Sequence, residues 1–147
     1  VNPADLDLNI HMNNGRYLSI MDLGRFDLML QSGTFLPLLK QGFYPVVASQ
    51  VIQFHKSLEP FETFDLVTRI DSFDGKDFFM AQDFMRGDEI VAQGFIRSRF
   101  KKRGQRGSVD AAVLFAALHR DVPTAPAASS LAAQHVAVEG ELKATRP

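Results

Sequence analysis

Six short polar residues, Asp5, Asp7, Asn9, His11, Asn13 and Asn14, crowd into a stretch that ends where a long apolar run begins. A carboxylate is ionised at neutral pH and can attack a carbonyl carbon or draw a proton from water. A helix that begins just after such a carboxylate offers unbonded backbone N–H groups and a partial positive charge. Those groups stabilise the oxyanion that forms when an acyl carbonyl is attacked. The stretch therefore holds the parts for acyl transfer, with Asp7 to start the attack and the amides around Gly15 and Arg16 to hold the developing charge. The same residue types also cap helices without any chemistry, and spacing alone does not separate the two readings.

The element that must position these groups is GRYLSIMDLGRFDLMLQSG. Asn14 is the expected N-cap and Gly33 the expected stop. Apolar residues surround most of the helix, and Arg16, Ser19, Asp22 and Arg25 form one narrow polar stripe, so burial on most sides is expected. Asp22 and Arg25, three apart, read as a structural ion pair. After a short helical stub at 35–42 the pattern turns to strands, at 44–57, 61–73, 76–85 and 90–102. Asp74-Gly75 and Arg86-Gly87-Asp88 are tight turns, which predicts an antiparallel meander. A short helix at 108–118 capped by Ser108 comes next. The Pro/Ala/Ser-rich stretch 121–147 has no sustained period and is expected as a mobile tail or crossing arm. The expected fold class is α+β: a curled antiparallel sheet wrapped around one long central helix, with a domain at 1–120 whose first strand is truncated or lies partly upstream. One sheet covers only part of such a helix, so a second copy is expected to help seal it.

Composition narrows the function classes. The chain has 147 residues, 46% of them hydrophobic, and a net charge of −1, so no global field draws it to nucleic acid or to a membrane. Thirteen Phe against two Tyr and no Trp suit an apolar core or an apolar ligand slot. With no cysteine, disulfides and thiolate nucleophiles are excluded. His55, His119 and His135 lack metal-ligand spacing, so no metal is expected, and no GxSxG elbow, P-loop or dinucleotide fingerprint is present. No apolar run reaches the roughly 18 residues of a membrane span. A cytoplasmic location is the expectation, although the chain begins with Val and its N-terminus reads as incomplete.

DLDLNIHMNNGRYL resembles the signature of hotdog-fold thioesterases of the 4-hydroxybenzoyl-CoA type: an Asp, a few residues, Gly-His-Val/Met-Asn-Asn and an aromatic. The match runs through Asp7, His11, Asn13, Asn14 and Tyr17 into Met21, Asp22 and Arg25, and the resemblance extends over about residues 1–103. It implies Asp7 as the catalytic carboxylate, with His11, Asn13, Asn14, Gly15, Arg16 and Tyr17 forming the oxyanion and substrate-positioning set. It further implies an acyl-CoA substrate held between the subunits of a homodimer or tetramer, and no cofactor beyond the coenzyme A of the substrate. Ile10 stands where the family's glycine is usual. Asp5 is weighed as a loop cap or a second carboxylate, and His11 as a loop brace or a substrate polariser. The basic cluster Arg97, Arg99, Lys101, Lys102, Arg103 and Arg106 is either a solvated strand end or part of a cleft mouth for CoA phosphates, for which Lys56 and Arg99 are the candidates. The alternative function is an acyl- or CoA-binding hotdog protein without catalysis. A hotdog dehydratase needs a His/acid pair that the sequence does not offer.

Overall fold

The apolar run after Asn13 becomes helix α1 (Asn14–Gln31), which ends ahead of Gly33 as expected. The computed structural model describes residues 1–124 and 129–144. A 3₁₀ turn (Pro3–Asp5) precedes α1, and α2 (Phe35–Lys40) follows it. Then come β1 (Phe43–Phe54), β2 (Asp65–Asp74), β3 (Asp77–Arg86), β4 (Glu89–Lys102), α3 (Ala111–Ala117) and α4 (Ser130–Ala144). The α+β class is as expected, but the strand order is β1-β4-β3-β2 and not a simple meander. Tight turns fix only the neighbours β2-β3-β4, whereas β1 pairs with β4. That pairing is antiparallel: His55 N donates to Val91 O at 2.9 Å, and Arg103 N donates to Gly42 O at 2.9 Å.

Two caps lie one or two residues from where the sequence puts them. Asn13, not Asn14, caps α1, because its side chain accepts from Gly15 N. Asp110, not Ser108, caps α3, accepting from Ala112 N. In both cases the competing Asx or Ser residue is a near neighbour, and which one turns extended decides the cap.

The chain forms two compact units. The first comprises Val1–Leu36, Ile52–Arg69 and Ala81–Gly94. Here α1 buries Tyr17, Met21 and Arg25, one residue per turn along one side. Tyr17 meets the Phe54 and Phe84 rings edge-on at 5.0 and 4.8 Å. Phe84, Leu58, Val91 and Ala92 are fully buried beside it, and each large side chain of this kind contributes about 1.5–3 kcal/mol. At Gly24 an added Cβ would come within 2.5 Å of Leu66 and 2.8 Å of Thr68, so α1 approaches β2 more closely than any side chain allows. Within the single chain the burial of α1 is one-sided: Leu23, Phe26 and Leu30 are exposed. A sheet covers one side of a helix, and these three residues lie on the other.

The second unit comprises Pro37–Val51, Ile70–Met80 and Phe95–Pro147. Much of the phenylalanine excess lies here: half-buried Phe73, Phe78, Phe100 and Phe115 form a connected ring cluster, and buried Phe79 stacks on buried Phe95. Part of the expected irregular tail is in fact α4, whose Ala132 and His135 are buried. Residues 125–128 and 145–147 of that stretch lie outside the described residues.

Candidate functional site

The loop ahead of α1 is built by its own backbone. An antiparallel bridge pairs Leu6 with Met12, Asp7 N donates to His11 O at 2.8 Å, and Ile10 N donates to Asp7 O at 3.1 Å. Buried Met12 anchors the hairpin by donating its amide to Leu58 O at 2.9 Å. The tip requires Ile10 to adopt φ +61°, the left-handed region that a β-branched residue occupies only under strain. That is the position where the resembled motif carries glycine, and the backbone angle gives the physical reason for it.

Within this loop Asp7 is half-buried and has one fixed oxygen. Its Oδ1 accepts from Asn9 N at 2.8 Å and from His11 N at 3.3 Å. Among the described residues Oδ2 has no hydrogen-bond partner. Asp7 lines an open depression of about 510 Å³ together with Leu6, Leu8, Asn9 and Asn13. The carboxylate and the cap of α1 therefore share one hollow.

Asp5 is the loop's brace. Buried, it accepts from Asn2 N at 2.9 Å and from Arg16 Nε at 2.6 Å. The Asn2 amide and then the Arg16 guanidinium hold its carboxyl below the usual aspartate value, against the opposing effect of burial. Asn13 N also donates to Asp5 O at 2.7 Å. Arg16, expected to face substrate, is thus committed to Asp5.

Two of the expected oxyanion donors are already bonded. Gly15 N donates to Asn13 Oδ1 at 2.8 Å and Arg16 N to Asn13 O at 2.9 Å. A Cβ on Gly15 would sit 3.1 Å from that Oδ1, so glycine keeps the cap close. Among the described residues the Asn14 amide has no backbone or side-chain acceptor. The Tyr17 side chain faces the core rather than the hollow, and burial pushes its phenol pKa up. His11 is half-buried and contributes its backbone to the loop closure, and the Asn14 side chain is exposed.

Neither phosphate candidate is free. Lys56 pairs with Glu89, and Arg99 pairs with Asp77 through Nε and an NH2 contact of 3.3 Å. Among the described residues no cluster of three or more His, Cys, Asp or Glu could hold a metal.

Sequence reasoning missed the group that fixes α1 in place. Gln82 is fully buried and its Nε2 donates to Met21 O at 3.0 Å and to Thr68 Oγ1 at 2.9 Å. Its Oε1 accepts from Arg25 NH1 at 2.9 Å, and Arg25 pairs in turn with Asp22, as expected for an ion pair. The signal was present: Gln82 interrupts the apolar face Phe78, Met80, Phe84, and a polar side chain there needs buried partners.

Three comparisons bear on the chain. The sequence profile of the thioesterase-like superfamily matches residues 1–137. Protein THEM6 of Xenopus laevis is 36% identical over 97 residues, 66% of this chain and 47% of that protein. The chain thus spans about half the length of the curated relatives it matches. The crystal structure of YbaW, a probable thioesterase from Escherichia coli, superposes with a TM-score of 0.74 at 20% identity, over 80% of this chain and 91% of that one. SAV2348 from Staphylococcus aureus, solved in complex with CoA, gives 0.71 at 15% identity over 86% and 85%.

Proposed function

Because the chain belongs to the thioesterase-like superfamily and has its hotdog fold, we propose that it hydrolyses acyl-CoA thioesters with Asp7 as the reacting carboxylate. The observation that carries this reading is the shared hollow: Asp7, its Oδ2 unbonded among the described residues, lines the same depression as the cap of α1. Bonds from the Asn9 and His11 amides hold the carboxylate in one orientation, so its second oxygen is aimed without reorganisation. By direct attack that oxygen forms an acyl-Asp7 anhydride as the coenzyme A thiolate leaves, and water then hydrolyses the anhydride; by the other route it takes a proton from the water that attacks the carbonyl and passes it to the leaving thiolate. The Asn14 amide and the positive end of α1 receive the charge that develops on the carbonyl oxygen. The CoA complex of a structural neighbour supports the choice of carrier. Exposed Leu8 and Phe61 in the same unit support self-association that would cover them.

The test is Asp7→Asn, assayed for thiol release across a panel of acyl-CoAs. Turnover should fall roughly a hundredfold to ten-thousandfold with the thermal melt unchanged. Undiminished release would remove Asp7 from the reaction. Rapid-quench mass spectrometry of the Asp7 peptide separates the two routes, since only direct attack adds the acyl mass.

A second reading, binding without hydrolysis, draws on the strained Ile10 and on the amides of Gly15 and Arg16 already engaged by Asn13. Tight acyl-CoA binding with no thiol release from the unaltered chain would favour it.

A further inference from the structure

Cations are sorted unevenly in this protein. In the first unit every lysine and arginine has a carboxylate partner: Arg16 with Asp5, Arg25 with Asp22, Lys56 with Glu89, Arg69 with Asp83, and Arg86 with Glu62 and Glu89. In the second unit Arg97 and Arg99 are paired. Lys40, Lys76, Lys101, Lys102, Arg103 and Arg106 have no ion-pair partner among the described residues. Four of these six fall at the end of β4 and in the turn that follows it, and the backbone brings Lys40 alongside. Arg103 N donates to Gly42 O at 2.9 Å, and Lys102 Nζ lies 4.8 Å above the Phe43 ring. The segment carrying Leu39, Lys40 and Tyr44 therefore borders the basic turn, and Leu39 and Tyr44 are 38% and 37% exposed. The nearest carboxylate along the chain, Asp110, is occupied in capping α3.

We propose that this surface, formed by the end of β4 and its following turn (residues 101–106) with Lys40, Leu39 and Tyr44, docks the protein onto an anionic lipid bilayer. Unneutralised cations held together are attracted by the negative potential of such a membrane. An aliphatic and an amphipathic aromatic side chain beside them suit the headgroup boundary, where Tyr sits with one end apolar and the other wet. RNA is the less favoured partner, because a single half-exposed tyrosine provides no platform for successive bases. The net charge of −1 hides the patch, since the balancing carboxylates lie elsewhere in the fold. The proposal stands apart from the hydrolase reading and uses none of its residues.

The experiment is co-sedimentation of the whole chain with vesicles of phosphatidylcholine alone or with about 30% phosphatidylserine. Binding is expected only to the anionic vesicles, and is expected to weaken as salt rises and shortens the screening length. Each removed cation should lower partitioning about fivefold, so Lys101→Ala with Arg103→Ala and Arg106→Ala should lower it about a hundredfold. The charge-keeping set Lys101→Arg, Arg103→Lys and Arg106→Lys should bind as the natural chain does, with unchanged melts for both sets. Equal binding to neutral vesicles, no binding to anionic ones, or full binding by the alanine set would each overturn the proposal. So would displacement of the protein from anionic vesicles by an equimolar mixed-sequence RNA.

Discussion

Arg16 on the first turn of α1 holds Asp5 through Nε at 2.6 Å, tying the start of the loop to the helix that the loop serves. Asp7 lies between the two ends of this tie in sequence, so the placement of its carboxylate depends on an ion pair in which it takes no part. Half-exposed Arg16 limits what the pair adds to global stability, and its effect is local.

The pH dependence of that tie follows from its direction. Asp5 has its pKa lowered in the folded state, so its contribution is present above the ordinary aspartate value of 3.8 and is lost as pH falls through the lower folded value. Asp5→Asn removes the charge and with it this dependence. Urea midpoints measured across the acid range should therefore show the natural chain above the variant at neutral pH. The gap should shrink below pH 3.8. A gap that stays constant into strong acid would mean that the charge of Asp5 contributes nothing.

Ile10 offers a test of strain. Its φ of +61° costs a non-glycine residue about 1–2 kcal/mol, while glycine adds about 0.5–1 kcal/mol of unfolded-state entropy. The Ile10 side chain is largely exposed, so little burial is lost. Ile10→Gly should raise the melting temperature by a few degrees, and Ile10→Ala should not. A lower melting temperature for the glycine variant would show that Ile10 makes contacts worth more than its strain.

How much of this was legible in the sequence depends on the physical signal each part carries. The four strands were readable because alternation and Asp74-Gly75 are local features. The neighbour of β1 was not, since no turn joins it to β4. Helix α4 escaped because its described inward residues, Ala132, His135 and Glu139, are small or polar, and the stretch carries no sustained apolar period. At the site, the polar stretch itself pointed to Asp7 and the α1 start. The engagement of the Gly15 and Arg16 amides by Asn13, and of Arg16 by Asp5, depends on the tertiary path of the loop, which no spacing rule records.

Gln82 should be among the least replaceable polar residues of the first unit. Gln82→Leu keeps the volume but leaves the Arg25 guanidinium, Thr68 Oγ1 and the Met21 carbonyl without their shared partner. Arg25 keeps Asp22, but each buried polar group left without a partner costs about 1–3 kcal/mol, which is a large part of a domain's stability. Denaturant unfolding should register that loss. Gln82→Glu, able to accept from Arg25 but not to donate to Met21 O, should recover part of it. Equal midpoints for Gln82→Leu and the natural chain would mean that the network is energetically idle.

The last prediction concerns how α4 is held. Its contact with the sheet is a buried polar knot: Glu139 pairs with Arg97 and accepts from Ser49 Oγ, while His135 Nε2 lies 2.6 Å from that same hydroxyl. Arg97 is buried, its Nε has no acceptor among the described residues, and Asp77 stands 3.7 Å from its NH1. Glu139→Ala would leave this guanidinium with only the longer contact, a deficit on the order of 3 kcal/mol. Because α4 buries no large apolar side chain among its described residues, the deficit should appear first as local opening rather than global unfolding. Hydrogen exchange should then show amide protection lost across 130–144 in Glu139→Ala, while the parts of β3 and β4 in the same unit, 77–80 and 95–102, stay protected. If α4 remained as protected as before, small-residue packing around Ala132 and His135 would be sufficient to hold it without the charge.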